Sequence, residues 1–144
     1  MPWLYHSWNP DPYEDLTAVP EPLIGRPPTP ELHFGDDVLV PNLAGWRRER
    51  LPSTPNEPYL TLAPDWICEV LSPSTEYIDR GKKLRIYARE GVAHAWLVDP
   101  LAHTLEALSL EAGRWTQLDR YEGEARVRAA PFDAIELGLG ALWI

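Results

Sequence analysis

Two residues stand out because their types do not suit their surroundings. Glu69 lies within Asp65-Trp66-Ile67-Cys68-Glu69-Val70-Leu71, a β-branched, aromatic and apolar run bounded by Pro64 and Pro73. Near-continuous apolar character of this kind predicts a central strand covered on both faces. A carboxylate there is costly unless it is paired, protonated or bound to a metal. Two readings follow: an ion pair with a basic residue of the next helix, or one arm of a metal site. The second standout is lysine. Lys82 and Lys83 are the only lysines in the chain, and every other basic residue is arginine. Lysine is a compact cation whose acidity its surroundings tune, whereas arginine stays charged.

Spacing limits what these groups do together. Asp65, Ile67 and Glu69 project from one face of a strand. Four residues at about 3.3 Å each separate Asp65 from Glu69 by ~13 Å, too far to chelate one small cation. A metal at Glu69 therefore needs a second oxygen from a neighbouring strand, and Asp65 reads as a turn residue beside Pro64. On a helix, Lys83, Tyr87 and Glu90 fall on one side at i, i+4 and i+7, with Lys82 on another. A lysine pair at a helix start is also, often enough, simple solvated surface.

Other chemistries drop out. The chain has no Gly-x-Ser-x-Gly elbow and no phosphate-binding Gly-x-x-x-x-Gly-Lys-Ser/Thr loop, and its four histidines and one cysteine lack zinc-like spacing. Cys68, inside the strand, reads as an inert core thiol. Gly138-Leu139-Gly140 reads as a turn, and His94 as structural. A net charge of −9 disfavours indiscriminate binding to nucleic acid or anionic membrane. No apolar run approaches the ~20 residues of a membrane span, no signal peptide is visible, and a lone cysteine suits a reducing cytoplasm.

The elements that must carry these groups are short. Residues 1–30 hold eight of the sixteen prolines and are expected to be extended or irregular, leaving one domain over 31–144. Strands are expected at 37–46, as one piece or as two halves broken at Pro41-Asn42, then at 59–62, 65–71 and 95–98. A helix follows Ser72-Pro73-Ser74-Thr75, ends near Arg89 and stops at Gly91. Residues 104–110 and 115–121 flank Glu111-Ala112-Gly113-Arg114 as a hairpin. A last extended piece spans Phe132 to Leu137. Strands, one helix, then strands make an α/β or α+β fold with a mixed sheet. Trp66, Trp96, Trp115 and Trp143 read as core.

Three linked blocks carry a resemblance. Pro64-Asp65-x-x-Cys68-Glu69-Val70-Leu71-Ser72-Pro73-Ser74-Thr75, then Asp79-Arg80-x-x-Lys83-Leu84-x-x-Tyr87-Ala88-x-x-Gly91-Val92, then Trp96-Leu97-Val98-Asp99-Pro100 resemble a large bacterial family. Its members are restriction-endonuclease-like proteins, formerly a domain of unknown function, with the PD-(D/E)XK nuclease fold. The resemblance spans about residues 31–144. It implies a four- or five-stranded mixed sheet flanked by helices, and metal-dependent phosphodiester cleavage with Mg²⁺ as the expected ion and DNA as the expected partner. Glu69 matches the family's metal-binding carboxylate. Leu71 occupies the usual lysine position, and Lys83 matches a lysine that has moved to the following helix. The second metal ligand belongs to a Val-Pro-Asp motif, which here reads Val40-Pro41-Asn42. Asp65, Tyr87 and Asp79 stand as supporting residues. The N-terminal proline-rich part departs from the family's longer helical start.

Two functional readings result. One is a metal-dependent endonuclease using Glu69, Lys83 and Asn42. The other is a catalytically inactive nuclease-fold domain acting as a protein-interaction or homodimerisation module, in keeping with Asn42, the acidic balance and seven tryptophans.

Overall fold

A computed structural model describes residues 3–6, 31–47, 49–51, 59–72 and 79–143. Its main sheet has six strands: β1 (Trp3–His6), β4 (Leu43–Arg47), β6 (Trp66–Val70), β7 (His94–Asp99), β8 (Thr104–Glu111) and β9 (Arg114–Glu122), in that spatial order. Only β6 and β7 run parallel; the other neighbours are antiparallel. A second sheet orders β3 (Asp37–Leu39), β2 (Glu31–Phe34) and β5 (Tyr59–Leu60), and β10 (Arg126–Val127) pairs with β11 (Leu137–Gly138). The fold is thus mixed α+β, as expected, but with a six-stranded main sheet. Trp3–His6 supplies its outer strand.

Parallel neighbours need a crossover, and the chain between β6 and β7 provides one. It comprises a π-helical turn at Asp79–Lys83 that runs directly into α1 (Leu84–Arg89). The start of the expected helix, residues 73–78, lies outside the described residues. Its end is as expected. Gly91 takes φ +79°, the Gly91 amide donates to the Ala88 carbonyl, and the Val92 amide donates to that of Tyr87.

Both faces of β6 are covered. On one face Ile67 and Leu97 pack with Leu84, Ile86 and Tyr87 of α1 and with Leu32, Phe34 and Leu60 of the small sheet. On the other, Trp66, Cys68 and Trp96 meet Phe132, Val127 and Leu139 of the C-terminal segment. Trp66, Trp96 and Phe132 meet edge to face at 4.9–5.5 Å between ring centroids. Trp66 and Trp96 are core residues, as expected, while Trp115 and Trp143 are only partly buried. Their indoles donate to the Leu84 and Gly123 carbonyls respectively.

Two local expectations change. Pro41 does more than break a strand, because β3 and β4 on either side of it belong to different sheets. Residues 132–135 form turns and bends, Glu136 is irregular, and only Leu137–Gly138 is a strand. The hairpin is where the Ala112-Gly113 pair predicts it, with positive φ at both central residues, 52° and 77°. Alanine in that conformation carries about 1 kcal/mol of strain that asparagine largely avoids. Ala112→Asn should therefore raise the urea midpoint by the equivalent of ~0.5–1 kcal/mol; an unchanged or lower midpoint contradicts the turn assignment.

His94, at the start of β7, is half-buried. Its Nδ1 and the Oγ of its register partner Ser109 have no hydrogen-bond partner among the described residues. Burial, and secondarily the charge of Arg47, lower its pKa below the ordinary 6.5. The folded protein thus resists protonation more than the unfolded chain does. Stability should fall as pH drops below about 6.5. Urea unfolding at pH 7.5 and 5.5 should show a loss that His94→Gln reduces; an identical loss in the variant would contradict this.

Candidate active site

The site grows from the register. Leu43 pairs with Cys68, Glu69 with Leu97, and Leu97 with Glu106. Directly paired residues share a face, so Glu69, Leu97 and Glu106 form a row across β6, β7 and β8 beneath α1. Asn42 sits one residue before β4, alongside the end of β6, where its Oδ1 accepts the Val70 amide at 2.8 Å. Glu69 lies near the carboxyl end of the parallel pair, where open α/β sheets place their ligands.

The Glu69 side chain is 2% exposed, so its charge depends on donors within the protein. The Tyr87 hydroxyl donates to Oε1 at 2.8 Å. The Lys83 ammonium lies 3.5 Å from Oε2 and is 24% exposed. The helix delivers both from positions i and i+4, as their spacing predicts. Glu90, the third residue of that series, instead accepts from Arg89. The ion pair expected between Glu69 and the helix is therefore present, and the phenol contact is the shorter of the two.

The remaining sequence-predicted residues are placed as follows. Asp65, immediately before β6, accepts the Arg47 amide at 2.8 Å and pairs with Arg50 at 2.8 Å. It anchors the turn after β4 and does not join the Glu69 cluster. Asp79 opens the π-helical turn, and its side chain lies outside the described residues. Cys68 points to the opposite face. Burial, with a smaller effect from the Glu69 charge, pushes its thiol well above the usual range. It is a buried core thiol, as expected.

Two charged residues given no role by the sequence, Arg80 and Glu106, meet on this side of the sheet. Arg80, in the π-helical turn, forms an ion pair with Glu106. The available signal was again a lone carboxylate in an otherwise uncharged strand, Thr104 to Leu110. Among the described residues, no three His, Cys, Asp or Glu side chains gather as a metal cluster. None of the described helices is long and apolar enough to cross a membrane.

The mixed α+β fold matches that of a structurally characterised "putative nuclease". Residues 17–140 match the family profile of Uma2, described as "Putative restriction endonuclease". The chain belongs to the Uma2 family. It is similar to a crystal structure from Anabaena variabilis described as a "putative nuclease belonging to DUF820", with 26% identity and a TM-score of 0.60. That similarity covers 78% of this chain and 64% of the other, so this chain accounts for somewhat less than two thirds of its relative. No curated protein matches.

The geometry orders the two contacts to Glu69 energetically. The Tyr87 bond is short and fully buried, and removing it leaves a carboxylate oxygen without that donor, at a cost of ~1–3 kcal/mol. The Lys83 contact is long and partly screened by solvent. In urea unfolding, Tyr87→Phe should thus destabilise the protein more than Lys83→Met. The reverse order would contradict the assignment of Tyr87 as the principal support.

Proposed function

We propose that this protein hydrolyses phosphodiester bonds of DNA, with Glu69 and Lys83 as its catalytic pair. The observation that carries the reading is the convergence of Glu69, Lys83 and Tyr87 on one spot, within a chain of the Uma2 family.

The donor set suits a cation that arrives with its substrate. Magnesium is commonly held by one or two carboxylates, completed by water and substrate phosphate. Glu69 offers one carboxylate, and Oε2 is the oxygen with the longer existing contact. The Asn42 amide oxygen, which accepts the Val70 amide, is a neutral oxygen beside the end of β6. These two residues would hold the ion. When bound, a divalent cation offsets phosphate charge and makes water more acidic. The chain's own residues do the rest. Tyr87 fixes the Glu69 carboxylate through Oε1. Lys83, at the solvent-facing side of the pair, supplies a positive charge for a phosphate oxygen as negative charge develops there. In a chain of net charge −9 such a local cation also gives a polyanion a place to dock.

A second reading has its own support. Glu69 is buried with both oxygens contacted, as in a purely structural ion pair, and Asn42 stands where the resemblance implies an aspartate. In that case the fold is catalytically inactive and serves as a partner-binding or dimerisation module.

Cleavage of supercoiled and single-stranded DNA with Mg²⁺ or Mn²⁺ separates the two. Glu69→Gln and Lys83→Ala should each lower the rate by about 10²-fold or more. Cleavage that survives both substitutions contradicts the nuclease reading. Absence of wild-type cleavage, with Mg²⁺ binding gained in calorimetry by Asn42→Asp, supports the inactive one.

A further inference from the structure

We infer that Arg80 and Glu106 are positioning residues, forming a clasp that sets Lys83 against Glu69. The inference rests on the reading of Glu69 and Lys83 as the working pair.

The π-helical turn meets the sheet at two charged points. Lys83 reaches Glu69 on β6, and Arg80, three residues earlier, reaches Glu106 on β8. The two carboxylates lie in one register row with Leu97 between them, two strand spacings apart or about 9.6 Å. Two ion pairs at that separation oppose both sliding and rotation of the turn. The segment has little rigidity of its own. Its α-helical part is six residues with no side-chain cap at its start, far below the length at which helices hold themselves. The side-chain ties from Tyr87, Trp115 and Arg89 all act at or beyond Leu84. Arg80 acts on the other side of Lys83, so the lysine is held between anchors.

Burial supports a positioning role on the sheet side of the pair, since Arg80 is 42% exposed and Glu106 is not. The Glu106 side chain is 13% exposed and is compensated by the Arg80 guanidinium. The Lys83 contact, at 3.5 Å, is at the outer limit of a hydrogen bond, so a small shift of the turn breaks it. π-helical turns recur at functional sites.

The chain's two lysines make the test direct. Selective ¹⁵Nζ labelling gives one signal from Lys83 and one from Lys82, an internal control. Arg80→Ala and Glu106→Gln should each shift the Lys83 signal and leave Lys82 in place. Cleavage, where the wild type cleaves, should fall about 10²-fold, the cost of a misplaced catalytic group. The charge-swapped pair, Arg80→Glu with Glu106→Arg, should restore both readouts at least in part. An unchanged Lys83 signal in both single variants overturns the clasp. So does a general loss of stability that the swap does not rescue, which would mark the pair as merely structural. A weaker salt dependence of DNA binding in Arg80→Ala, with Lys83 unmoved, also overturns it and makes Arg80 a phosphate contact. A Lys83 response in a protein that does not cleave DNA leaves the clasp standing and removes the nuclease reading.

Discussion

A negative charge with almost no access to water has to be answered from inside the protein. Glu69 sits in a strand covered on both faces, where an uncompensated carboxylate would cost several kcal/mol. The compensation comes from the segment that joins β6 to β7. That segment must cross the sheet to make the parallel pair, and in crossing it lays Tyr87 and Lys83 over Glu69. The helix end is fixed by Gly91 and by the buried Val92, which brings the chain directly into β7. One requirement, neutralising residue 69, thus constrains where the helix lies and which of its sides faces the sheet.

The arrangement also separates support from reactivity. Tyr87 is wholly buried and makes the short bond, whereas Lys83 is partly exposed and makes the long one. A firmly held carboxylate beside a less firmly held cation is a suitable starting point for phosphate chemistry, because the cation is available to an incoming anion. Among the described residues, the opposite face of β6 is covered by an apolar cluster. There Trp66, Trp96 and Phe132 pack edge to face beside the buried Cys68.

The sequence was most informative where the physics is local. The apolar run around Glu69, the Gly91 stop and the Ala112-Gly113 turn each have a short-range cause, and each is found in place. Lys83 and Tyr87 were legible as one helix side, and Glu69 as an acid in need of a partner. Partners set by long-range register were not. Asn42 meets Val70, and Arg80 meets Glu106, only because strands align after folding, and no local spacing encodes that. The extended stretch expected at 132–136 failed for a related reason. Its apolar residues, Phe132 and Ile135, pack against the sheet from turns, and apolar content alone does not separate that from a strand. Asp65 carried the right chemical type, but Arg47 at the end of β4 and Arg50 in the turn after it claim it.

The most direct measurement of the central claim is a crystal structure with Mn²⁺ and a short, non-cleavable oligonucleotide. The expected result is anomalous density beside Oε2 of Glu69, a phosphate within reach of the Lys83 ammonium, and the Tyr87 bond to Oε1 retained. Metal and nucleic acid bound elsewhere, with Lys83 still seated on Glu69, would show that this buried pair serves only the fold.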